Sequence, residues 1–96
     1  MVKITLAAVA ALVAAASASN CHTGLNYCGY ALTNIGAYTE QINEALRAKG
    51  WNINGKNQHD TLFSCQGGPN GEISIIDWCK DRCVDGGQGH NDYCSS

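Results

Sequence analysis

Residues 61–78 read TLFSCQGGPNGEISIIDW, and the reading of this stretch decides the fold. Alternating apolar and polar residues flank a glycine-rich centre. That pattern predicts two strands, Thr61 to Gln66 and Glu72 to Trp78, around the loop Gly67-Gly68-Pro69-Asn70-Gly71. Setting Gln66 opposite Glu72 brings Cys65 against Ile73 and Phe63 against Ile75, so turn and hydrophobic pattern agree on one antiparallel register. The opposite face pairs Ser64 with Ser74 near the tip and Leu62 with Ile76 lower down, with Trp78 just beyond. One face is therefore core throughout. The base of the other, at Leu62, Ile76 and Trp78, is either covered by the C-terminal loop or a candidate partner-binding surface.

The same register restricts the disulfides. Cys79 lies about six strand residues beyond the point opposite Cys65, or ~20 Å at ~3.3 Å per residue. A disulfide needs α-carbons within ~7 Å, so Cys65 and Cys79 are not expected to pair. The other connectivities stay open.

Upstream, Tyr27, Cys28, Ala31, Leu32 and Ile35 recur at three- and four-residue steps, predicting a short helix over 26–35 weakened by Gly29 and stopped by Gly36. A second, amphipathic helix runs from Thr39 to Gly50. Thr39 is its expected cap, Glu40 and Glu44 lie toward the positive end of its dipole, and Arg47 and Lys49 occupy its last turn. Tyr38, Ile42, Ala45 and Leu46 form its apolar stripe. Trp51-Asn52-Ile53 reads as a short strand, Asn54-Gly55 as a turn, and the residues through His59 as polar loop. The last stretch, 81–96, holds three glycines in four positions and reads as a loop pinned by Cys83 and Cys94. The fold class is α+β: two short helices packed on a small antiparallel sheet.

The chain has 96 residues, six cysteines and a net charge of −2. Met1 to Ala18 carries one early cation, Lys3, then an apolar run and the small residues Ala16-Ser17-Ala18, the pattern of a secretory signal peptide. The run is shorter than the ~20 residues that span a bilayer, so no membrane span is expected. Cleavage after Ala18 leaves a single domain over 19–96, 78 residues long, with five bases against eight acids. This acidic balance disfavours nucleic-acid binding and lytic adsorption to anionic lipid. All six cysteines, Cys21, Cys28, Cys65, Cys79, Cys83 and Cys94, remain after cleavage. An even number in a small exported chain predicts three disulfides, each worth ~2–4 kcal/mol to a domain with a small core.

No Cys-x-x-Cys pair is present, which disfavours zinc. Asp81, Cys83, Asp85, Gly86 and Asp92 fall on positions 1, 3, 5, 6 and 12 of a calcium-loop spacing. Position 3 wants oxygen and position 12 a bidentate Glu, so a solvated acidic loop is the better reading. His22, His59 and His90 sit among polar residues; His59-Asp60 has no serine in a nucleophile elbow and no free thiol to activate. Glu40 and Glu44 serve a helix dipole better than glycoside cleavage. No catalytic residue, metal or cofactor is therefore expected. Among the aromatics, Trp78 stands out because its predicted face is not obviously covered, whereas a sugar platform needs two or three coplanar exposed rings.

Leu25-Asn26-Tyr27-Cys28-Gly29, Gly36-Ala37-Tyr38, Leu62-Phe63-Ser64-Cys65, Asn70-Gly71-Glu72-Ile73 and the Cys79 to Cys83 spacing precede a closing run, Asp85-Gly86-Gly87-Gln88-Gly89-His90-Asn91-Asp92-Tyr93-Cys94. This arrangement resembles small cysteine-rich secreted proteins of filamentous ascomycete fungi, many of them candidate effectors. More distantly, two helices with a hairpin are similar to killer-toxin-like α/β-sandwich effectors. That topology implies both helices on one face of an antiparallel sheet. These patterns fix scaffold positions and imply no catalytic residue. The expectation is a secreted, monomeric, non-enzymatic effector that binds a host or competitor protein or cell-surface component. The alternatives are a toxin against competing microbes and a wall-polysaccharide-binding module. Protease inhibition is disfavoured by a Gly67 to Gly71 loop that is costly to order. N-terminal sequencing of the exported protein checks the first step: the chain should begin at Ser19, and an uncleaved Met1 would refute the signal reading.

Overall fold

The computed structural model describes residues 20–95. Its elements are β1 (Asn26–Cys28), α1 (Gly29–Ile35), α2 (Thr39–Lys49), α3 (Gly55–Asp60), β2 (Thr61–Gly67), β3 (Glu72–Trp78), β4 (Cys83–Val84) and β5 (Tyr93–Cys94). The strands form two antiparallel sheets, β1-β2-β3 and β4-β5. The α+β class with three disulfides is as expected, with one helix more than the two expected. The signal-peptide reading of Met1 to Ala18 lies outside the described residues.

The predicted hairpin is present, with two corrections to its register. Phe63 faces Ile75, Ser64 faces Ser74 and Cys65 faces Ile73, as predicted. At the tip, however, Glu72 pairs with Gly67 and leaves Gln66 as an extra residue on β2. At the base, Leu62 pairs with Asp77 and Thr61 with Trp78, leaving Ile76 as an extra residue on β3. A one-residue bulge exchanges the faces of everything beyond it. Trp78, expected to share a face with Leu62, instead stands opposite Thr61, on the Phe63 side.

Strand β2 buries one face along its length and the base of the other. On one side Phe63 and Cys65 join Cys21, Leu32, Tyr38, Ile42 and Leu46, with Ile73, Ile75 and Trp51 packed around them. On the other side Leu62 joins Cys28, Ala31, Cys79 and Cys83. The base of that second face is thus covered by disulfides and C-terminal chain. Full burial of side chains such as Phe63, Leu32, Ile42 and Leu46 is worth ~1.5–3 kcal/mol each.

The disulfides are Cys21–Cys65, Cys28–Cys83 and Cys79–Cys94. Cys65 and Cys79 are unpaired with each other, as the strand spacing requires. Cys83 and Cys94, which pin the C-terminal loop, face each other across β4 and β5 but bond elsewhere.

Local chemistry explains the remaining differences. Residues 26–28 pair with β2 and so are strand, and α1 begins only at Gly29. Gly29 meets the backbone of α3: a Cβ there would collide with the Gln58 carbonyl. Thr39 does not cap α2; Tyr38 holds that position, with no side-chain cap bond. Gly50 ends α2 with φ 77°, a left-handed conformation that glycine adopts without strain. The segment 51–53 is not a strand, and the expected polar loop through His59 contains α3, whose cap is Asn54 accepting from the Asn57 amide at 2.8 Å. The open edge of β1 is closed by the C-terminal segment. Asn91 Oδ1 accepts from the Asn26 amide (2.9 Å), Asp92 Oδ2 accepts from the Cys28 amide (2.8 Å), and the Asp92 amide donates to the Asn26 carbonyl (2.9 Å).

Tyr38 joins three segments through one hydroxyl. Its buried Oη donates to the Gly71 carbonyl (2.7 Å) and accepts from the Cys21 amide (3.0 Å). Tyr38→Phe strands both backbone groups and should cost about 1–3 kcal/mol in urea unfolding with disulfides intact. An unchanged midpoint would show that the hydroxyl contributes nothing.

Candidate functional site

The bulge in β3 separates the three residues predicted to form a partner-binding surface. Leu62 is buried (7% exposed) beside the disulfides, apart from the other two. Ile76 is the extra residue of the bulge and projects outward (47% exposed), while Trp78 (39% exposed) turns to the opposite side of the strand pair. There it lines a groove of about 470 Å³ with Gly50, Trp51, Asn52 and Asn57, a size within the usual range of small-ligand sites.

Each wall of this groove has a local cause. Gly50 reverses the chain at the end of α2, and the Trp51 amide donates back to the Leu46 carbonyl at 3.0 Å. This helix-terminating bond seats the Trp51 indole against the edge of the core, where it is half-buried. Asn57, in the first turn of α3, ties the other wall together. Its Nδ2 donates to the Asn52 carbonyl (2.7 Å) and its Oδ1 accepts from Trp78 Nε1 (2.9 Å). A lysine ammonium stands over each ring: Lys49 Nζ lies 5.8 Å from the Trp51 centroid and Lys56 Nζ 5.3 Å from the Trp78 centroid, within cation–π range.

Lys56 is itself fixed from below. Its Nζ donates to Asp60 Oδ2 (3.1 Å) and to the Asp81 carbonyl (3.0 Å). Asp60 Oδ1 accepts from the Cys83 amide (2.9 Å) and sits 3.2 Å from His59 Nδ1. Burial pushes the Asp60 carboxyl up, but the bonds from Cys83, Lys56 and His59 outweigh it and hold the group below the ordinary carboxylate range. Asp92 shows the opposite balance. Burial raises it, the amides of Cys28 and Gly86 pull it down, and the neighbouring Asp85 carboxylate adds to the upward push; the net direction is up.

The other titratable candidates are dispersed. His59 stacks on Tyr30 with centroids 4.4 Å apart. His22 and His90 line a separate cleft of about 390 Å³ with Tyr27, Asp85 and Asp92. Glu40 and Glu44 are exposed on α2. Within the calcium-like spacing, Cys83 is disulfide-bonded and the Asp92 carboxylate accepts the Cys28 and Gly86 amides at 2.8 Å each. Among the described residues no group of three or more His, Cys, Asp or Glu side chains is placed to hold a metal ion. No helix among them is long and apolar enough to cross a membrane.

Sequence reasoning singled out Trp78 but missed Trp51, Asn52 and Asn57. The available signal is Asn54, a good helix N-cap that places Asn57 in the first turn of a helix, although Asn54-Gly55 also fits a turn. Compared with protein families, curated proteins and solved structures, the chain finds no match.

The two aspartates set opposing pH limits. Asp60, depressed in the folded state, contributes stability above its unfolded value of ~3.9 that is lost as pH falls through its lower folded value. Asp92, raised, contributes stability that is present below ~3.9 and lost as pH rises through its higher folded value. In a pH series of urea unfolding, Asp60→Asn should flatten the acid limb and Asp92→Asn the limb above it. Parallel curves for either variant and wild type would refute that assignment.

Proposed function

We propose that the protein is exported and acts without catalysis, as an effector-type binding protein that engages a surface component of a host or competitor. One observation carries this reading. Both tryptophans of the chain stand at the rim of a single groove, held there by a helix cap and by the Asn57 bridge rather than plugged into the core. Tryptophan at a partly desolvated site is the residue type that most often dominates binding energy. Paired sulfurs support the reading from another side. No free cysteine remains among the described residues, and three cross-links suit a small domain working outside cells, where disulfides persist. The acidic balance favours recognition over membrane lysis.

The test is saturable binding of the labelled, oxidised protein to intact host cells and to competing microbes. Wild type should bind one of these surfaces, and Trp78→Ala should weaken binding at least about tenfold. Binding without growth inhibition separates this role from a killer toxin. Absence of saturable binding, or equal binding by the variant, would overturn the proposal.

A further inference from the structure

We infer that the groove between Trp51 and Trp78 binds a neutral saccharide chain. The inference rests on the binding role proposed above and names its ligand class. The groove is lined by two indoles, two asparagines and a glycine, and no ionised side chain lies among these five residues. The rings line a groove rather than a flat coplanar platform, and aromatic faces beside amide edges there match a sugar ring, which carries C–H groups on its faces and hydroxyls at its rim. The alternatives fit less well. A lipid tail would cover the exposed Asn52 amide with hydrocarbon, at the cost of unpaired polar groups. A nucleic acid or polyanion meets a chain of net charge −2 with only two cations beside the groove, Lys49 and Lys56, of which Lys56 is held by Asp60 and the Asp81 carbonyl.

The rings are preset rather than free to collapse together. Trp78 is anchored through Nε1 to Asn57, and Asn57 through Nδ2 to the Asn52 carbonyl, so one hydrogen-bonded chain spans the groove. Lys49 and Lys56 each occupy one face of an indole, so a ligand can stack on at most one face of each ring. A rigid site of this kind loses little conformational entropy on binding. Asn57 acts as a positioning residue, and its remaining amide valences and those of the exposed Asn52 are available for sugar hydroxyls.

The chain contains two tryptophans and both line the groove, so intrinsic indole fluorescence reports this site alone. The oxidised protein is titrated with chitohexaose, laminarihexaose and, as the charged contrast, an oligogalacturonate, followed by fluorescence and calorimetry. At least one neutral hexasaccharide should give a saturable indole shift and matching heat. Trp78→Ala should weaken the affinity at least about tenfold and Asn52→Ala about threefold or more. Far-UV circular dichroism and a free-thiol count check folding. Should Trp78→Ala fail them, Trp78→Phe and the exposed Asn52→Ala carry the test, and wild-type affinity in both overturns the inference. No saturable response to either neutral probe up to about 10 mM, or a response to the oligogalacturonate alone, also overturns it.

Insoluble chitin and β-glucan distinguish the source. Retention on a polymer together with a hexasaccharide response assigns wall polysaccharide, and a hexasaccharide response alone assigns soluble fragments. Retention without any hexasaccharide response overturns the inference, because a groove of about 470 Å³ is filled by a few sugar units. Cell binding through Trp78 with no sugar response would leave the binding role standing and remove this ligand class. Sugar binding with no cell binding would do the reverse.

Discussion

Strand β2 is only seven residues long, yet it must keep one face and the base of the other dry. Phe63 and Cys65 are wedged against helix α2, while Leu62 lies against sulfur atoms and the C-terminal chain. A domain of this size cannot cover a central strand with two complete layers of secondary structure, since too little apolar surface is available. It solves the problem asymmetrically. One layer is helical, with Ile42 and Leu46 of α2 as its contacts, and the other is made of Cys28–Cys83 and Cys79–Cys94. The disulfides are therefore packing material as well as cross-links. The two buried clusters meet at Tyr27, which touches both.

The parts legible in the sequence are those where local chemistry and long-range packing agree. The central hairpin pairs follow from period-2 alternation around a glycine-rich turn, and α2 follows from its apolar stripe and Gly50. The illegible parts are those where a distant partner decides. Tyr27 and Cys28 fit a helical spacing, but β2 captures them as a strand. Helix α3 is polar along its whole length, and what holds it is Asn54 at its start and the Asp60 bonds at its end rather than an apolar face. The bulge at Ile76 left no mark in the alternation, because the run Ile75-Ile76 satisfies either register equally well. That slip separates Leu62, Ile76 and Trp78, which the alternation makes neighbours, into three different environments.

Placing the groove depended on this irregularity. Without the extra residue in β3, Trp78 would face the disulfide side, away from Asn57 and Trp51. Bulges commonly re-aim a side chain next to a functional site, and this one carries an indole from one face of the sheet to the other. The groove is assembled from three chain segments, the end of α2, the start of α3 and the end of β3, none of which carries a recognisable motif by itself. Its lining combines Gly50, which ends α2, with Asn52 in the connection and Asn57 in the first turn of α3. Residues that shape the helix ends therefore also line the groove in this small domain.

The order of the sulfur bridges has a topological consequence. Cys21–Cys65, Cys28–Cys83 and Cys79–Cys94 overlap end to end along the chain, so every peptide bond between Cys21 and Cys94 lies inside at least one covalent ring. A peptidase that makes any single cut in this interval releases no fragment. It leaves a two-chain molecule whose pieces stay tethered and still share the same buried clusters. Breakdown must begin with a second cut inside the same ring or with reduction, which makes the molecule durable in proportion to how its rings overlap rather than how deeply its core is buried.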